Sequence, residues 1–251
     1  DGQLSPSIGL DADGDFVITW MSLGQDLDSC GIYARRYRAV GGWEGLEFQV
    51  NSFTTGSQSA PVIGMEPNGD FVITWQSYGQ DGSENGIYAQ RYNAELARQG
   101  SEFRINSTTT LRQGSPSVGM DADGDVIITW TSDTQDGSNR GIFANRYRAI
   151  AANQETRVNT HTTNIQSRSE VATDANGNFV IVWSSNVQDG SGFGIYAQRY
   201  DSGGVAIGNE FRVNSYTTGW QLMPSVKMDA DGDFVIAWAS KGQEGSGYEI
   251  Y

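Results

Sequence analysis

Cysteine is nearly absent from this chain: Cys30 is the only one in 251 residues, which excludes an internal disulfide and any cysteine-rich metal site. Histidine is as scarce. His161 stands alone, so serine–histidine chemistry has one candidate base and no distinctive nucleophile motif. Positive charge is also short: 16 Lys and Arg against 30 Asp and Glu give a formal net charge of -14. That balance repels phosphate backbones and anionic lipid heads, and argues against nucleic acid and membrane surfaces as partners. No run approaches the roughly 18–20 apolar residues of a membrane helix, so membrane insertion is not expected. The chain opens at Asp1 without a charged-then-apolar leader, which reads as a mature form or an excised piece.

What is present points the other way, to a packed β protein. Glycine is abundant at 32 residues, aromatic residues make up 11% and charged residues only 18%, a turn-rich and aromatic-packed composition rather than that of a disordered chain. Self-comparison is decisive. Trp20, Trp75, Trp130, Trp183 and Trp238 end segments reading DFVITW, DFVITW, DVIITW, NFVIVW and DFVIAW, at intervals of 55, 55, 53 and 55 residues. Around them recur an SPSIGLDADGD-like stretch, a GQD or VQD loop, a GIYAQRY-like strand and an EFRVNS-like strand. This period, with four strand-like pieces in each copy, is a propeller or array signature.

The DADGD and EPNGD stretches carry the residues that a tight hairpin needs, so the first two strands of each copy are adjacent and antiparallel. In the second strand Phe16, Ile18 and Trp20 share one face while Val17 and Thr19 take the other. Neither face is made for water, and a sheet sandwiched between copies of itself satisfies both. Polarity grows toward the fourth strand, which fits a buried inner edge and a wetter outer one. The expected fold is all-β: a single β-propeller over 1–251, of about five four-stranded blades at 5–52, 60–107, 115–160, 169–215 and 223–251. The last blade is incomplete, because its EFRVN strand is missing.

The combined motif DADGDFVITW, GQDGS, GIYAQRY, EFRVN resembles the repeats of large secreted bacterial proteins of the FG-GAP-like kind, and its strand order is similar to the NHL propeller repeat. The resemblance implies architecture and a surface role, secreted or on the cell surface. The acidic loop is shorter than in the integrin-type FG-GAP motif.

Candidate chemistry is concentrated in three acidic triplets: Asp11, Asp13, Asp15; Asp121, Asp123, Asp125; and Asp229, Asp231, Asp233. Carboxylates at alternate positions around a glycine resemble the first half of a calcium loop, which makes Ca²⁺ the one candidate cofactor. The preferred alternative is turn chemistry alone, since Glu66/Asn68/Asp70 and Asp174/Asn176/Asn178 keep the turn formers while losing charge. A second recurring set, Asp26, Asp81, Asp136, Asp189 and Glu244, is expected to lock its loops to Arg36, Arg91, Arg146 and Arg199 on the third strands, the alternative being that the acid holds a cation with loop carbonyls. Trp43, Tyr78, Phe193, Trp220 and Tyr248 fall in connections where copies differ, where they either stack on sugars or cover blade edges.

Acids that recur blade by blade do not supply the two unlike carboxylates of a glycosidase. No catalytic residue is therefore assigned and the chain is not expected to be an enzyme. The expectation is a structural or adhesion propeller whose partners are copies of itself or neighbouring propeller domains, joined head to tail into filaments or arrays. A calcium-dependent, lectin-like propeller that binds polysaccharide is the alternative.

Overall fold

The computed structural model describes residues 2–26, 28–148, 151–152, 155–245 and 247–251, with the side chains of all of these except 43, 44, 148, 151 and 152. The chain divides into two compact units, 1–124 and 125–251. In the first unit β1 (Gln3–Leu10), β2 (Phe16–Leu23), β3 (Cys30–Arg38) and β4 (Gly42–Gln49) make one sheet in chain order. A second sheet repeats it with β5 (Gln58–Met65), β6 (Phe71–Tyr78), β7 (Asn85–Tyr92) and β8 (Arg98–Arg104), and β9 (Gln113–Met120) follows. The second unit holds β10 (Val126–Asp133), β11 (Arg140–Arg148), β12 (Ala151–Ala152) and β13 (Thr156–Arg157). It continues with β14 (Gln166–Thr173), β15 (Phe179–Asn186), β16 (Phe193–Tyr200) and β17 (Ala206–Arg212), then β18 (Trp220–Met228), β19 (Phe234–Lys241) and β20 (Tyr248–Ile250). Strands within a copy pair antiparallel. The protein is an all-β propeller of about five blades, the last with three strands, and no helix long and apolar enough to cross a membrane occurs among the described residues.

Local chemistry explains each repeat. The hairpin closes when the Asp11 N–H donates to the Asp15 carbonyl at 2.9 Å, with Gly14 at φ 84°, where a side chain would be strained. β1, β5, β14 and β18 each carry a bulge, and Ser5, Ala60, Arg168 and Met223 take positive φ there, as Ser115 does at the same place on β9, between 51° and 59°. In four copies a proline follows, a residue that has no ladder N–H to lose at a bulge.

Apolar residues on both faces of the second strand are covered in the middle copies: Trp75, Trp130 and Trp183 have no exposed surface. One core joins the first two blades, with Val17, Ile63, Phe71, Trp75 and Tyr92 among its members. An equivalent core in the second unit holds Ile127, Val171, Phe179 and Trp183, against which Tyr200 packs. On β1, by contrast, Ile8 is 59% exposed.

Neighbouring blades are also clasped by buried amides. Asn51 Oδ1 accepts the Ile32 N–H at 2.7 Å, while Asn51 Nδ2 donates to the Phe53 carbonyl and, at 3.1 Å, to Gln58 Oε1 of the next blade. The same set recurs at Asn106 with Gln113, Asn159 with Gln166 and Asn214 with Gln221. Outside this clasp, Glu102 accepts the Ser52 N–H and hydroxyl at 2.6 and 2.9 Å, and Glu210 does the same for Thr160 at 2.7 and 3.0 Å. These buried amides satisfy backbone groups where one blade hands over to the next.

Candidate functional site

The acidic triplets sit in the hairpins after the first strands, where their carboxylates close turns. Asp11 Oδ1 accepts the N–H groups of Asp13 and Asp15 at 3.0 and 2.8 Å, and Asp229 does the same for Asp231 and Asp233 at 3.1 and 2.9 Å. Asp121 accepts the Asp123 N–H at 3.1 Å. Asp13, Asp123 and Asp231 point to solvent. Arg36 reaches both Asp11 and Asp15, at 3.3 and 3.4 Å, and Arg146 reaches Asp125 at 2.7 Å. The Ala39 N–H, more than the nearby arginines, holds the Asp15 carboxyl below its ordinary range. Among the described residues no three His, Cys, Asp or Glu side chains gather as a metal-binding group.

Two of these arginines thus correct one expectation: they serve the hairpin, not the Asp26-type acids. The reason is position along the strand. Arg36 lies opposite Val17, at the hairpin end of β3, whereas Asp26 belongs to the loop at the other end. Asp26 Oδ2 instead lies 2.7 Å from where a Cβ on Gly31 would stand, and Asp81 repeats this at Gly86 at 2.7 Å, so the glycine that opens each GIY strand leaves room for the acid packed on it. Burial, reinforced by Asp81, pushes the neighbouring Tyr88 phenol up to about 12. His161 contributes its carbonyl to Asn159 Nδ2 at 2.8 Å.

One carboxylate breaks the internal symmetry of the hairpins. Glu66 replaces the aspartate found at this place in the other copies, and it is buried. Its Oε2 accepts from Asn68 Nδ2 at 3.0 Å, and its Oε1 lies 2.7 Å from the place of a Cβ on Gly124. Burial, with Asp70 beside it, raises its pKa above the ordinary 4.5.

A second break lies on the first strands of the copies. Among β1, β5, β9, β14 and β18 only β14 carries a carboxylate, Glu170, where the other copies have Ser7, Val62, Ser117 and Ser225. Its Oε2 accepts from the Ser225 hydroxyl of the next first strand at 3.1 Å.

The aromatic residues scattered in sequence converge in the second unit. Phe193 bridges Trp220 in a parallel pair, Trp220 is opposite Lys241, and Lys241 is opposite Tyr248, so four strands place four residues in one row. Phe193 meets Trp220 edge to face at 6.4 Å, and Lys241 Nζ stands 5.6 Å from the ring centres of both Trp220 and Tyr248. Trp220 and Tyr248 are 47% and 50% exposed. The matching row across the first two blades runs through Cys30, Ser57, Tyr78 and Asn85. Aromatic faces thus collect at this junction and not at the matching row of the first two blades. Tyr78 stands exposed on its own blade, and the Trp43 side chain lies outside the described residues.

No family model and no curated protein matches this chain. Solved structures do match in fold. The endo-arabinase of Bacteroides thetaiotaomicron is 14% identical, with a TM-score of 0.53 over 100% of this chain and 94% of its own. The α-L-arabinofuranosidase of Fusarium graminearum in complex with arabinobiose is 13% identical, with a TM-score of 0.64 over 99% of this chain and 80% of its own. The α-L-arabinanase of Penicillium chrysogenum complexed with arabinobiose is 14% identical, with a TM-score of 0.62 over 99% and 80%.

At these identities the likeness is one of fold, and it supports the propeller while leaving the FG-GAP-like and NHL-like resemblance behind. It also corrects the functional expectation. The expectation of a non-catalytic adhesion or filament module, with a calcium-dependent lectin as its alternative, rests on near-identical blades that offer no singular centre. Carbohydrate-cleaving enzymes are built on this same fold, and Glu170 and the Phe193–Trp220–Tyr248 row are singular features of this chain. Repetition of the scaffold does not exclude a catalytic site on it.

Proposed function

We propose that this protein is a secreted or surface-exposed carbohydrate-processing enzyme that acts on an arabinose-containing polysaccharide and grips it along the row of Phe193, Trp220, Lys241 and Tyr248. The observation that carries the reading is the likeness in fold, over the whole chain, to arabinan-degrading enzymes, two of them solved with arabinobiose. The row supports it chemically. Exposed indole and phenol rings offer flat apolar faces to sugar C–H groups, and the lysine between them donates to hydroxyls. Glycosidic bonds are cleaved in most such enzymes by two carboxylates, and Glu170, on a first strand at a position where no other copy has an acid, is assigned as one of that pair.

The test is release of reducing ends from linear arabinan, run beside a panel of other polysaccharides. The wild type is expected to act on arabinan. Glu170→Gln is expected to lose on the order of 10²–10⁴-fold in kcat, and Trp220→Ala to raise KM with kcat largely kept. A wild-type protein that releases nothing from arabinan or from the panel would refute the reading.

A further inference from the structure

The second unit contains a cavity of about 380 Å³ between its first two sets of strands, walled by Ile127, Ile181, Phe179 and Tyr200 and opening past Thr156 and Gly204. In the core of the first unit the equivalent place is taken up by side chains, and the repeat shows how. Each buried member of the second core has its counterpart in the first, and the stacked pair Phe71/Tyr92 at 5.0 Å is matched by Phe179 and the partly buried Tyr200 at 4.7 Å. The residues packed around them do not correspond. Phe48 pairs with Ala34 on the fourth strand and rests against Tyr92 at 5.4 Å, while the residue that pairs with the equivalent Ala144 is Thr156. Leu96, at φ 65° in the turn between β7 and β8, packs on the first core. The same turn between β16 and β17, with the same backbone hydrogen bond to its first residue, has Gly204 at φ 82°.

A phenyl ring and an isobutyl group are thus missing from the place where the other core holds them. The wall they touched is kept. The cavity's volume falls in the roughly 300–1,000 Å³ range of small-molecule pockets, and apolar cavities of even smaller size take up benzene-like molecules. Its mouth is exposed at Thr156 and Gly204, so a ligand has a way in.

We infer that this cavity is a binding site for a small molecule bearing one aromatic ring, seated against Tyr200 as Phe48 is seated against Tyr92. Asn145 and Arg146 also line it and give it polar atoms beside the ring site. The inference does not depend on the polysaccharide reading, since the aromatic row is built from other residues.

Titration calorimetry with p-cresol tests it, with cyclohexanol as the non-aromatic control of similar size. The wild type is expected to bind p-cresol saturably at one per chain and cyclohexanol more weakly. Refilling the site with Thr156→Phe and Gly204→Leu, the residues the other core carries there, should lower the affinity on the order of tenfold or more. The reciprocal pair Phe48→Thr and Leu96→Gly should add a second equivalent of p-cresol. Absence of saturable p-cresol binding to the wild type would overturn the site, as would unchanged binding after refilling. Equal binding of cyclohexanol would overturn the aromatic class. Should the reciprocal variant fail to fold, the wild type and the refilled variant still decide.

Discussion

The core around Trp75 and the core around Trp183 are two castings of one repeat. Both keep the tryptophan fully buried, the stacked Phe–Tyr pair and the asparagine–glutamine clasp to the next blade. They part company at the rim. Met21, Phe48, Met65 and Leu96 pack on the first core, and Thr131, Thr156, Thr173 and Gly204 stand at the equivalent positions of the second. What cannot vary is whatever satisfies buried backbone or fills the centre, because losing either leaves an orphaned polar group or a sealed void. At Thr156 and Gly204 the rim borders solvent, so apolar side chains can be lost there and leave a pocket.

The largest expected effect is on the centres themselves. Trp75→Ala and Trp183→Ala should each cost about 3–5 kcal/mol in urea denaturation, with Trp183→Ala toward the lower end because loosely packed surroundings collapse more readily into a void. A larger loss at Trp183 would break the comparison. Next come the clasps. Asn51→Ala and Asn159→Ala each orphan a buried N–H, of Ile32 and of Ile142, and should cost about 1–3 kcal/mol. The two costs should agree, since the clasp is the part both regions share. A cost confined to one of them would mean that the shared geometry is not shared energetics.

The smallest effects concern pH at the hairpins. Glu66 has a folded pKa raised above 4.5, so the folded state holds its proton more tightly than the unfolded chain does. Stability is therefore lost as pH rises from 4.5 through the folded value, and Glu66→Gln should remove that loss in denaturation curves compared on either side of the window. Asp15 has the opposite sign. Its folded pKa is lowered below 3.8, so its contribution is present above 3.8 and disappears as pH falls through the folded value, and Asp15→Asn should flatten the acid limb slightly. An acid limb unchanged by Asp15→Asn would detach its carboxylate from the hairpin's stability.

Much of the fold was legible in the sequence because it is written five times. The tryptophan period, the glycine hairpins and the two-sided apolar second strands each recur, and each maps onto a strand or turn. The clasp is written in the sequence as well: Asn51 and Gln58, Asn106 and Gln113, Asn159 and Gln166, Asn214 and Gln221 are all seven residues apart. The Asp26-to-Arg36 pairing failed because recurrence says that two residues matter together without saying which end of a strand each occupies. The aromatic row was hidden for another reason. Phe193, Trp220, Lys241 and Tyr248 come from four strands of two blades, and each sits where the copies disagree, so only the parallel bridge and the strand registers bring them side by side. The same variability that made these positions look uninformative is what lets one junction differ from the rest.

The most direct test of the functional reading is to follow the indole N–H signals of the tryptophans by NMR while arabinan oligosaccharides are added. The Trp220 signal should shift saturably while those of the buried Trp75, Trp130 and Trp183 stay in place. A titration in which Trp220 does not move would contradict the assignment of this row to the glycan.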